Sequence, residues 1–471
     1  MDSPSASRLA LWVVLALVGC GESPTPSTDQ PPGGGGNSTT PSSNAGSSNT
    51  TTAGSGTSPS AGQSSSSSGG TAGSGTGGTT TVAGSGSAMA GAAPLPDTSG
   101  EIYDPDKLPR FDLELPAASI AALKQDPDTY VTGSIKYGDE VVSNIGVRIK
   151  GEGSLRTLDK KAAFKLKFDE FVPKQSFHSL RRMTLNNMVE DPSFLAERLA
   201  FHFFRAQKLP APRCNSALVY VNGAFYGVYA NVEAEDKTFL RRWFADDGGN
   251  LYEEGQVDFT PGNETKFDLE TNEEANDRSD LTALIGALSN SKPESYLTDL
   301  GAQLDMTHFL AFTAAEAAVN QWDMYAYTVF YPNNFRIYRD PTTQKFTMLP
   351  WGMDMSMKPF RDSGKPHIDV QAIARQGDSQ NGTITAGLMF RKCLTSPACK
   401  TAYLKVVNET ATAYAAANLE ALAKQYFAQI EPEIAKDPRK EYTAAQVKTG
   451  YDNLIKTIRE RPDALRESAM E

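Results

Sequence analysis

DPSFLAERLAFHFFRAQK, residues 191–208, has the spacing of an amphipathic helix inside a region that otherwise alternates like strand. Asp191 and Pro192 suit a helix start, the acid as N-cap and the proline in the first turn. The main apolar stripe is Leu195, Leu199, Phe203 and Ala206. At 100° per residue Glu197 falls on the opposite side, beside Phe201 and Phe204. A carboxylate on a second apolar face is expected to be covered, and a covered carboxylate needs a cationic partner.

The flanks show what this helix is embedded in. On the N-terminal side PRFDLELP (109–116) alternates apolar and polar residues, a short helix is expected at Ala117–Gln125, and VTGSIKYGDEVVSNIGVRIKG (131–151) reads as a hairpin turning at Gly138-Asp139. AAFKLKFDEF (162–171) alternates again, with Phe164, Leu166 and Phe168 on one face and Lys165 and Lys167 on the other. These segments predict one antiparallel sheet. On the C-terminal side NSALVYVNG and AFYGVYANVE form a hairpin around Asn222-Gly223. The character then switches to helix, in SDLTALIGALSN (279–290) and DMTHFLAFTAAEAAVN (305–320). Two more strands, NNFRIYRD and KFTMLPW, flank a turn at 340–343, and from Thr385 onward the chain reads as mostly helical. A sheet-rich half with one embedded helix, followed by a helix-rich half, is an α+β, two-lobed arrangement.

The 471 residues overstate the folded mass. Residues 21–99 are almost wholly Gly, Ser, Thr, Ala and Pro, with three charges (Glu22, Asp29, Asp97) and no aromatic residue, too little apolar surface to offset the entropy of ordering. Before them Arg8 precedes a ten-residue apolar run, 9–18, too short to span a bilayer and of the length of a signal-peptide core. The run ends Leu17-Val18-Gly19-Cys20, which resembles the bacterial lipobox. Lipidation of Cys20 would make the chain a cell-envelope lipoprotein, and the linker would span roughly 50 Å as a flexible coil. The expected parts are thus a signal peptide at 1–20, a linker at 21–99, a core at 100–360 and a helical extension at 361–471. In an exported protein Cys393 and Cys399, flanking Pro397, are expected to form a disulfide, leaving Cys214 as a buried thiol. The net charge of −11 argues against nucleic-acid binding, which needs a Lys/Arg field.

Several familiar chemistries are absent from the sequence. The histidines (178, 202, 308, 367) form no HExxH pair, and there is no GxxxxGK[ST] loop and no GxSxG elbow. Lys150-Gly151-Glu152-Gly153-Ser154 is a glycine-bearing turn lacking the third glycine of GxGxxG. What remains is a set of acids and amides at element ends. Asp323 ends the long apolar helix in VNQWDMY, Asn333-Asn334 opens a strand, and Asp354 closes LPWGMD after the strand end. Carboxylate and amide oxygens are what Mg²⁺ takes when it is held between protein and phosphate.

In order, VRIKGEGSL, KAAFKLKFDEF, LRRMTLNNMVEDPSFLAERLAF, PAPRCNSALVYVNGAFYGVYANVEAEDKTFL, GNLY, the NQWDMY to NNFRIY stretch and KFTMLPWGMD resemble the CotH kinase family, the spore-coat-protein-H-like secretory kinases, over about residues 108–360. The resemblance implies an atypical protein-kinase fold and transfer of phosphate from ATP, with Mg²⁺ or Mn²⁺, to hydroxyls of an exported protein substrate. It implies Asp323 as the catalytic aspartate, Asp354 as metal ligand and Asn334 as a second. Gly151, Gly153 and Ser154 would cover the phosphates, and Glu233, in Asn231-Val232-Glu233, would lie at the lobe connection beside adenine. Arg148, Lys150, Lys165 and Lys167 are the candidate phosphate cations, one of which would pair with Glu197; alternation places each pair on one face. The family commonly reads Trp-Asp-x-Asp where this chain has Trp351-Gly352-Met353-Asp354, so one acid is missing, and the segment between Asp323 and Asn334 is long. A catalytically idle, kinase-like binding lipoprotein is the alternative reading, and transfer of another group such as adenylyl a third.

Overall fold

The computed structural model describes residues 97–328, 331–359, 367–371 and 386–470. Cys20, the leader and the linker up to residue 96 lie outside the described residues.

Seven strands close into a barrel in the order β1-β2-β3-β4-β5-β7-β6: β1 (Arg110–Glu114), β2 (Val131–Tyr137), β3 (Glu140–Lys150), β4 (Ala163–Lys167), β5 (Arg182–Asn186), β6 (Cys214–Val221) and β7 (Ala224–Glu233). The expected hairpins are present, β2–β3 turning at Gly138 and β6–β7 at Asn222-Gly223. The expected antiparallel sheet is corrected at one pairing: β1 pairs in parallel with β6, which joins the two ends into a barrel. The Asn222 side chain stitches this seam, accepting from the Leu115 N–H (2.7 Å) and donating to the Leu115 carbonyl (3.0 Å). Val147, Ile149, Phe164, Leu166, Met183, Leu185 and Tyr229 fill the interior. Strand alternation therefore turns their neighbours outward. Arg148 lies opposite Lys165, Gly146 opposite Lys167, and Lys165 opposite Thr184, so the four candidate cations share the outer face of β3 and β4.

Helix α1 (Ala117–Gln125) crosses between β1 and β2. Helix α2 (Ala196–Ala206) starts later than expected. Residues 191–194 form a turn in which Phe194 takes φ +60°, and Asp191 reaches across it to accept from the Ala196 N–H at 2.8 Å. Leu195, Leu199 and Phe203 are buried as expected, whereas Ala206 is exposed.

The second half holds α3 (Lys237–Trp243), β8 (Leu251–Glu253), β9 (Asp268–Leu269), α4 (Ser279–Asn290), α5 (Tyr296–Gly301), α6 (Met306–Ala318), β10 (Phe335–Asp340), β11 (Lys345–Pro350) and α7 (Leu388–Thr395). It closes with α8 (Pro397–Ala416), α9 (Leu419–Lys436) and α10 (Ala444–Met470). The strands make a sheet ordered β11-β10-β8-β9. Helix α6 ends five residues before Asp323, so that residue lies in irregular chain rather than on the helix. Cys393 and Cys399 are disulfide-bonded, Cα atoms 5.1 Å apart, and Cys214 is a buried free thiol.

The last helices do more than pack on one another. Buried Arg461 of α10 donates to the carbonyls of Ala317 (2.9 Å) and Ile368 (3.0 Å), setting a cation at the C-terminal end of α6. Between α9 and α10, Asp437 reaches the barrel: Lys161 Nζ donates to it at 2.6 Å and the Val228 N–H at 3.0 Å, with both charged side chains almost wholly buried. Gly227, φ +146°, leaves the room; a Cβ there would stand 2.6 Å from Asp437 Oδ2.

Candidate active site

On the outer barrel face Arg148 pairs with Asp128 (2.8 Å) and Lys167 with Glu170 (2.6 Å), both near the rim. Lys150 and Lys165 have no such local acid. Lys150 Nζ donates to Asn186 Oδ1 at 2.6 Å, and the Asn186 amide donates to both oxygens of Glu197 at 2.8 Å. The expected cation for Glu197 thus arrives through an amide. Burial pushes the Glu197 carboxyl up to about 8, Asp354 adds to the rise, and Asn186 and Lys150 work against it. Burial likewise lowers the Lys150 ammonium. Lys165 is lowered to about 8, again mainly by burial, and its principal support is the Glu253 carboxylate.

Across from these strands stands a second acidic group. Gln321 fixes the start of the irregular segment after α6, its amide donating to the Gly352 carbonyl at 2.8 Å. Glu316, fully buried on α6, accepts from the N–H groups of Ala326 (3.0 Å) and Tyr327 (2.8 Å), so the segment carrying Asp323 is held at both ends. Asn334 donates to the Asp323 carbonyl (2.7 Å) and to Asp323 Oδ2 (3.0 Å), and Asn333 to Oδ1 at 3.4 Å. Burial raises Asp323 to about 7, and Asp354 nearby adds to that, while Asn333, Lys358 and Asn334 oppose it. Asp354 sits in a 3-10 turn, Met353–Met355, that packs against α2. Its charge is felt by Lys150, Glu197 and Asp323 alike, which joins the barrel wall and the acidic group into one electrostatic unit.

Gly352 has φ +53°, and a Cβ built on it would lie 2.2 Å from Asn334 Oδ1. The amide occupies the space that a side chain at position 352 would claim. Glu254, which sequence reading did not single out, takes the Asn334 N–H at 3.0 Å with one oxygen, while its other oxygen is buried without a partner among the described residues. Its place just after β8, in an acidic stretch, was the available signal. Glu316 and Arg461 were also missed; neither has a local motif.

The glycine turn is tethered rather than open. Gly151, φ +123°, has Ser154 Oγ within 2.8 Å of where its Cβ would be, and Asn187 donates to the Ser154 carbonyl at 2.9 Å. Gly153 has open space around its Cα. Arg156 donates to the Gly153 carbonyl (3.2 Å) and makes a bidentate pair with Glu441 (2.6 and 2.9 Å). Glu233 is not brought to the cluster. It lies opposite inward-facing Met183, fully buried, and its oxygens are taken by Arg213 (2.7 Å) and Arg242.

Asp354 and the amide oxygen of Asn334 are donors of the type a hard divalent cation takes, and Glu254, whose carboxyl burial pushes up, holds the Asn334 N–H. Among the described residues no three His, Cys, Asp or Glu side chains converge as a cage.

The family model described as CotH kinase protein matches residues 147–465, about two thirds of the chain. The chain belongs to that family. The match begins in β3 and runs through the C-terminal helices into α10, so it takes in both the cation wall and Arg461. Inner spore coat protein H of Bacillus subtilis (strain 168) is 22% identical over 377 residues, covering 76% of this chain and 97% of that protein. Among solved structures, the Helicobacter pylori proinflammatory kinase CtkA matches over 72% of this chain and 94% of its own at 9% identity, with a TM-score of 0.26.

Proposed function

We propose that this CotH-family chain is an exported, membrane-tethered protein kinase that transfers the γ-phosphoryl group of ATP to Ser or Thr hydroxyls of an exported protein. The observation that carries the reading is the place of Asp354, whose charge reaches Lys150 and Glu197 as well as Asp323, with Lys165 on the same strand face as Lys150. Phosphoryl transfer asks the protein mainly for positioning and charge, and these residue types supply both. Asp323 orients the substrate hydroxyl and takes its proton as the oxygen bonds to the γ-phosphorus and the bond to the β-phosphate oxygen breaks, releasing ADP. Its rise to about 7 leaves it able to accept a proton near neutrality. Lys150 and Lys165 bind phosphate oxygens, Glu197 and Asn186 hold Lys150, and Gly151, Gly153 and Ser154 cover the phosphates. Asp354 and Asn334 would hold Mg²⁺ or Mn²⁺, which would supply positive charge against the phosphates. Export and a lipid anchor at Cys20 follow from the leader and the lipobox-like sequence.

One observation favours a second reading, an idle kinase-like binding lipoprotein: Gly352 stands where the family commonly has an acid, and Asn334 fills the space. Incubation of the full chain with γ-labelled ATP and Mg²⁺ or Mn²⁺ separates the two. Transfer to protein that is lost in Asp323→Ala and Asp354→Ala supports the kinase; no transfer with either metal, or equal transfer by all three proteins, rejects it. Thermal stabilisation by ATP without transfer supports the second reading.

A further inference from the structure

Helix α2 has a back as well as the face that carries Glu197. Arg198, His202 and Arg205 recur at i, i+4 and i+7, a stripe about a quarter-turn from Glu197, and they line a cavity of about 230 Å³. The wall opposite comes from α9 and from the chain before β1, with exposed Pro105, Asp106 and Gln425 at the mouth.

Among the described residues neither arginine has a carboxylate partner within ion-pair distance. Arg198, 2% exposed, donates to the Pro105 carbonyl (2.7 Å), Gln429 Oε1 (3.1 Å) and Ser216 Oγ (3.3 Å), with its guanidinium 3.5 Å over the Tyr426 ring. Its Nε has no partner. Arg205 donates only to the Pro212 carbonyl. The hydroxyl of Tyr103, 6% exposed, is buried with no partner, and His202 makes no hydrogen bond among the described residues. Asp106, the acid at the mouth, accepts from Gln425 at 3.0 Å and supports Arg198 electrostatically without an ion pair. Glu233, the carboxylate that reaches Arg205 electrostatically, already holds Arg213 and Arg242. Burial lowers both Arg198 and Arg205 to about 10, outweighing the support of Asp106 and Glu233. Two guanidiniums without an ion-pair partner, one of them with an unpartnered Nε, together with the unpartnered Tyr103 hydroxyl and the His202 ring around one small cavity, match a compact, multiply charged oxyanion.

We propose that this cavity binds a phosphate group, carried by free phosphate or by a small phosphomonoester. The site is separate from the candidate active site and does not depend on the kinase reading. Its occupant would rest on the helix that carries Glu197.

The test is calorimetric titration of the full chain, without nucleotide or divalent metal, with inorganic phosphate, glycerol 3-phosphate and acetate. The expected result is binding of one or both phosphates and not of acetate. Binding weakens roughly 10-fold or more in Arg205→Gln and in His202→Gln, as loss of a hydrogen bond to a charged group implies, and is unchanged in Lys165→Gln. Histidine-labelled protein adds a local readout, one ring signal moving on phosphate addition and absent from His202→Gln. The tighter of the two phosphates identifies the source. No binding of either phosphate, equal binding of acetate, retention in Arg205→Gln and His202→Gln, or loss confined to Lys165→Gln overturns the proposal; should Arg205→Gln not fold, His202→Gln decides.

Discussion

Asn334 is the residue on which the acidic group turns. Its amide bonds the carbonyl and one carboxylate oxygen of Asp323, and those bonds favour the charged carboxylate. Removing them in Asn334→Ala is expected to raise Asp323 further, so the acid limb of the pH–rate profile of phosphate transfer, near 7 in the parent chain, moves to higher pH. Gly352→Ala places a Cβ against the same amide at φ +53°, and the left-handed backbone alone costs about 1–2 kcal/mol. Urea denaturation is expected to show at least that loss. Glu197 gives a stability prediction of definite sign. Its folded pKa, about 8, lies above the ordinary 4.5, so between those values the folded chain holds a proton that the unfolded chain releases, and stability falls as pH rises. Glu197→Gln removes that dependence. Urea midpoints measured below 5 and above 8 are expected to differ less in the variant, by on the order of 1 kcal/mol or more, since one pKa unit is worth about 1.4 kcal/mol.

At the scale of elements, the junction of α9 and α10 governs two parts of the barrel. Lys161 and Asp437 are charges buried together, and removing one leaves the other without compensation. Lys161→Met is therefore expected to cost about 3–5 kcal/mol, read as a lower Tm and an earlier denaturant midpoint. Arg156 and Glu441 form the second tie, at the glycine turn, and are partly exposed. Arg156→Gln is expected to leave the fold intact and loosen the turn, raising KM for ATP more than it lowers kcat. These ties were not legible in the sequence. Hairpins and helices could be read because turn residues and apolar spacing are local: Asn222-Gly223, Gly138 and the limits of α1 and α4 fall where spacing puts them. The start of α2 could not, because Asp191 caps it across a turn rather than from the next residue.

For the whole molecule, what the residues revealed was a content of strands and helices, and what they concealed was closure. The parallel pairing of β1 with β6 joins Arg110 to Leu218, and no local signal marks that contact. The same holds for the site. Asp323, Asp354, Lys150 and Glu197 could be singled out from residue type and family resemblance, but the amide link through Asn186 and the clash geometry at Gly352 required coordinates. The disulfide was legible because its two cysteines are six residues apart. Closing so short a loop stabilises by about 2 kcal/mol, so reduction is expected to lower Tm by a few degrees without unfolding the chain.

The Lys161–Asp437 pair also has a meaning in time. Its partners are 276 residues apart, so as the polypeptide emerges from N to C terminus the barrel strands precede the acid that neutralises Lys161. Until the α9–α10 junction arrives, the nascent barrel carries an ammonium group at a place built to exclude water. Final packing around Lys161 is thereby expected to await the last helices. A chain interrupted before residue 437 is expected to remain an open, protease-sensitive intermediate.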